Sequence, residues 1–164
     1  MQYLWLIIAR YTPPHRRDYG RMRIVATDKA VAGQGNAIVV NNNCVKMVLN
    51  DYKTDWKYNE FVHVMPRNVA DEIRTSIKLF PRKFLFVKAN MLDPMGDQYF
   101  GDRVKEAFMD NLGKPSTMND LRRAWVAEID RGDKKYTLAE RAELARMMNH
   151  SLMTQIMSYE RVDK

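Results

Sequence analysis

The chain of 164 residues, 46% hydrophobic and 29% charged, is long enough to bury a core as one domain, and its composition excludes a chain that is mostly disordered or fibrous. Its longest apolar stretch, around Leu4–Ala9, falls far short of the roughly 20 residues that cross a bilayer, and no basic segment of a signal peptide precedes it. The 27 Lys and Arg against 20 Asp and Glu leave a net charge of +7, which favours a polyanionic partner such as nucleic acid. The single Cys44 excludes an internal disulfide, and His15, His63 and His150 lack metal-ligand spacing, so a reducing intracellular compartment and metal-free, cofactor-free chemistry are expected.

Gln2–Tyr11 reads as a short apolar helix stopped by Pro13 and Pro14, with Leu4, Trp5, Ile7 and Ile8 available for the core. The basic turn His15-Arg16-Arg17-Asp18 follows. From Met22 to about Pro66 the pattern is strand-like: Val45, Met47 and Leu49 alternate with other residues, and Asn41-Asn42-Asn43 supplies a turn. A small antiparallel sheet is predicted, its last hairpin tipped by 50–55. Beyond Pro66 the period becomes helical, with helices expected at about Val69–Leu79, Gln98–Leu112, Met118–Asp130, Leu138–Met148 and Leu152–Ser158. The expected class is α+β, mostly α. Thr117 with Asp120, and Thr137 with Glu140, have capping-box spacing. On the helix after Thr117, the stripe Leu121, Trp125, Ile129 is predicted to face inward, with Asn119, Arg122 and Arg123 on other faces.

His150 and Tyr159 are nine positions apart, which on one unbroken helix would set them on opposite faces. Asn149 can take the left-handed conformation that ends a helix and Ser151 can cap the next, so a break is expected at this point, with His150 at the corner.

Asn149-His150-Ser151 followed by Tyr159 resembles the end of the catalytic domain of the tyrosine recombinases, the phage-type integrase family, in which a glycine usually precedes this histidine and the tyrosine is the nucleophile. Asn119-Asp120-Leu121-Arg122 is similar to the family's His-x-x-Arg box, with Asn119 where histidine usually stands and Arg122 as the second catalytic arginine. Lys53 would be the hairpin lysine. Pro13-Pro14-His15-Arg16-Arg17 looks like the proline-rich first-arginine box of some viral members, with Arg16 as the expected residue and Arg17 its rival. The matches run through nearly the whole chain in family order, and a longer loop at Asp130–Tyr136 would absorb a generous spacing between Arg122 and His150.

The resemblance implies one catalytic domain over 1–164, a fragment lacking the N-terminal DNA-clamping domain, that cleaves and rejoins double-stranded DNA through a 3′-phosphotyrosyl link without metal or ATP. Catalysis would fall to Tyr159, Arg122, Arg16, Lys53, His150 and Asn119, and DNA contact to Arg17 and Arg123. The full-length protein would act as a homotetramer on paired sites, as in integration of a viral genome. Each match alone is ordinary: a tyrosine near a chain end is commonly a packing residue, and a turn lysine a solvated charge. A DNA-binding module of the same fold that has lost catalysis and a type IB topoisomerase-like enzyme therefore stand as alternatives.

Overall fold

The structure is a computed structural model that describes residues 2–16, 18–31, 35–51, 60–132 and 135–158. Helix α1, Gln2–Tyr11, buries Leu4, Trp5 and Ile8 and leaves Ile7 partly covered. It ends where the prolines require it, and the Thr12 hydroxyl donates to the Ile8 carbonyl oxygen at 2.7 Å across the last turn. Strands β1 (Arg23–Val25), β2 (Ala37–Val40), β3 (Val45–Leu49) and β4 (Phe61–Val64) form one four-stranded sheet in that order.

The sheet differs from expectation at one edge. Strands β2, β3 and β4 pair antiparallel, but β1 runs parallel to β2, in the register Arg23↔Ala37 to Val25↔Val39. A crossover through the short turn at Asp28–Ala30 brings the chain back in the same direction, and the other side of β1 is occupied by 82–87, where the Ile24 amide donates to Lys83 and the Leu85 amide to Met22. Along β3, Val45, Met47 and Leu49 enter the main core as their alternation predicts, while Val48 packs with Val31, Ala37 and Val39 on the opposite face. The Asn41 side chain accepts from the amides of Asn43 and Cys44, at 3.0 and 2.9 Å, and turns β2 into β3.

The second half is helical as its period predicts: α2 (Arg67–Leu79), α3 (Asp97–Leu112), α4 (Met118–Arg131), α5 (Leu138–Met147) and α6 (Leu152–Ser158). Both capping boxes form, so α4 and α5 start where Thr117 and Thr137 place them. The core joins α1 to α3 through Trp5, edge-on to Phe100 and Phe108, and joins α2 to the sheet side through Val69, Ala70 and Ile73. Gly20 is required by close approach: a Cβ there would lie 2.5 Å from the Gly96 carbonyl oxygen. No described helix is long and apolar enough to cross a membrane.

Candidate active site

The capping box fixes where α4 starts, and the inward stripe of the helix is Met118, Arg122 and Val126, with Leu121, Trp125 and Ile129 only partly covered. This corrects the face assigned to Arg122. Its side chain is fully buried, and burial of a cation demands partners. Nη1 donates to the Pro14 carbonyl oxygen at 2.7 Å and Nη2 to that of Met148 at 2.8 Å. A guanidinium fork thus joins the turn after α1 to the turn after α5, 108 and 26 positions away in sequence.

The second turn is built as the sequence predicts. Asn149 adopts φ +55°, the His150 amide donates back to Ala145, and the Ser151 hydroxyl accepts from the Thr154 amide at 3.2 Å to start α6. His150 lies at the corner, almost wholly buried, with Nδ1 3.1 Å from the Ser151 carbonyl oxygen. A carbonyl only accepts, so Nδ1 carries the proton and donates, which makes Nε2 the acceptor of the neutral ring. Burial pushes the imidazole pKa down to about 4; the bond to Ser151 opposes this, and the positive charges of Arg122 and Arg16 add to it.

Arg16 is half-buried in the first turn, its amide donating to the Asp18 carboxylate at 3.2 Å. Before it, His15 is fully enclosed against Phe61 and Tyr19, and its Nδ1 lies 3.1 Å from Asn149 Nδ2. Arg16, Arg122 and His150 are therefore gathered where the two turns meet. Asn119 is on the exposed first turn of α4, and exposed Arg123 pairs with Asp120 at 3.6 Å. Arg17, Lys53 and Tyr159 lie outside the described residues. The sequence marks Asn149 as the breaker before His150 and His15 as part of the basic turn, but not the contact between the two. The available signal was that each immediately precedes a candidate catalytic residue. Among the described residues no cluster of three or more His, Cys, Asp or Glu is placed to hold a metal ion. A groove of about 570 Å³ beside α1 and α3, lined by Tyr3, Trp5, Tyr99 and Arg103 among others, includes none of the gathered residues.

A four-stranded sheet followed by a helical half matches a tyrosine recombinase-like fold. Among solved structures, the crystal structure of XerA recombinase superposes with a TM-score of 0.66 at 12% identity. The match covers 98% of this chain and 53% of that one, so the chain spans about half the length of that neighbour. No family model and no curated protein matches the sequence.

Proposed function

We propose that this chain is the catalytic part of a site-specific DNA recombinase that cleaves and rejoins DNA through a 3′-phosphotyrosyl intermediate. The observation that carries the reading is the Arg122 bridge, which brings Arg16 and His150 into one neighbourhood although the chain separates them widely. The recombinase-like fold and the family order of the motifs support it.

In this reading the Tyr159 oxygen attacks the scissile phosphorus, the bond to the 5′-oxygen breaks, and that oxygen takes a proton from Lys53 to leave as a hydroxyl. Arg16 donates to the non-bridging oxygens, and Arg122, buried with Nη1 and Nη2 on the carbonyls of Pro14 and Met148, adds its positive charge to the same centre from beneath the two turns. His150 hydrogen-bonds the phosphate: its ring is neutral in the free protein because burial holds its pKa at about 4, the negative charge of an arriving phosphate raises its basicity, and once protonated at Nε2 it donates to a phosphate oxygen. Asn119 can donate a hydrogen bond but cannot shuttle a proton. Attack on the phosphotyrosine by another strand's 5′-hydroxyl reverses the sequence, so joining needs no ATP. The likeness of the Pro13–Arg16 turn to viral members favours integration of a viral genome as the setting, with a homotetramer on paired sites as the assembly.

A library of nicked duplexes of randomised sequence, incubated in EDTA and separated under denaturing conditions, is expected to yield a covalent adduct that Tyr159→Phe abolishes. Duplex binding without any adduct would favour the catalytically impaired DNA-binding module, which the outward placement of Asn119 also favours.

A further inference from the structure

Two ties connect the same pair of turns, one residue apart in register. The Arg122 guanidinium spans the carbonyls of Pro14 and Met148, and on the following residue of each strand of chain His15 meets Asn149 side chain to side chain. The next residues along are Arg16 and His150. The amide nitrogen of Asn149 can only donate, so the His15 ring accepts at Nδ1 and carries its proton on Nε2. The backbone of Asn149 is also informative: at φ +55° a glycine would be less strained, and the asparagine side chain supplies the contact that a glycine lacks.

We propose that His15 and Asn149 form a positioning pair that, together with the Arg122 bridge, fixes the Arg16 turn against the His150 corner. The proposal rests on the recombinase reading for what the position achieves, but the tie itself is independent of that reading. Neither residue touches the reacting atoms; each acts through its neighbour. Ring contacts at 5.4 Å to Phe61 and 6.0 Å to Tyr19 confine the His15 imidazole from its other sides.

The test is a double-mutant cycle with His15→Phe, which retains an aromatic ring for Phe61 and Tyr19, and Asn149→Gly, which suits the positive φ. In single-turnover cleavage each variant is expected to be slowed roughly tenfold, and the double variant by about the same factor rather than a hundredfold, with duplex affinity within about twofold of the parent. Multiplying effects, or parental rates in the single variants, would overturn the proposal. Nitrogen-15 spectra of the imidazoles provide a readout that needs no activity. The parent should show His15 as the neutral Nε2–H tautomer, and both variants should move the His150 ring signals in the same way. An inactive parent with these spectral changes sinks the enzyme reading alone; an active parent whose His150 signals ignore both substitutions sinks the tie.

Discussion

Arg122 occupies a position that in most helices would hold leucine. Removing a guanidinium from water costs several kcal/mol, and what offsets this is geometry: two charge-assisted bonds of 2.7 and 2.8 Å, each worth about 1.5–3 kcal/mol. Arg122→Ala would leave a cavity and two buried carbonyls deprived of their donor, and should cost about 3–5 kcal/mol in urea denaturation at pH 7. Arg122→Lys cannot span both carbonyls with one ammonium and should cost about 2 kcal/mol. A parental midpoint for either variant would show that the bridge does not hold the turns. Histidines set a second residue-scale property. Burial holds His15, His63 and His150 below the usual imidazole range, with His150 near 4. Neutral rings therefore stabilise the fold above about pH 6.5, and that contribution drains away as pH falls towards the folded values. Asp18, raised by burial, acts with the opposite sign at the acid end, but it is one group against three. Urea stability is expected to decline from pH 6.5 to 4, and His15→Phe should flatten the decline; an unchanged slope would remove His15 from this account.

At the scale of elements, what was legible in the sequence was local chemistry. The limits of α1, α4 and α5 follow from Pro13, Thr117 and Thr137, residues that act within a turn of where they stand. The break before α6 was legible for the same reason, since Asn149 and Ser151 carry it. The parallel pairing of β1 was not, because three residues show no period and their partners are fixed by a crossover. Nor was the burial of Arg122: hydropathy places a cation outside, and the carbonyls that reverse this judgement are supplied by distant segments. Helix α6, seven residues long, is too short to stand alone, so its cap matters more than usual. Ser151→Ala should remove about 1 kcal/mol of local stability and raise amide exchange at Thr154 and Gln155 by about fivefold, while core amides at Ile38 and Met47 keep their rates. Uniform acceleration across the molecule would show instead that the cap serves global stability. On the recombinase reading proposed above, in which Tyr159 directly after α6 is the nucleophile, a loosened helix should also slow adduct formation.

For the molecule as a whole, the net charge of +7 is the excess of 27 Lys and Arg over 20 Asp and Glu, and many of these cations are paired at the surface. Arg67 and Arg74 flank Asp71, Arg103 pairs with Glu106, Arg146 with Glu143, and Arg123 with Asp120. Exposed pairs of this kind contribute little to stability and are readily exchanged, so their cations remain available to a phosphate backbone. Arg123, exposed at the start of α4, is one such case: its 3.6 Å contact with Asp120 is long and open to solvent, and Asp120 is already engaged by the Thr117 cap. On the DNA-processing reading proposed above, binding of a random-sequence duplex should weaken linearly with rising salt on a plot of log affinity against log salt. Arg123→Ala should reduce the steepness of that line by about 0.9, the release expected for one phosphate contact, with a stability change within about 0.5 kcal/mol. The effect should be the same for unrelated duplex sequences, since a phosphate contact reads no bases. An unchanged salt slope in Arg123→Ala would place this end of α4 away from the DNA, and with it the exposed Asn119 one turn before Arg122.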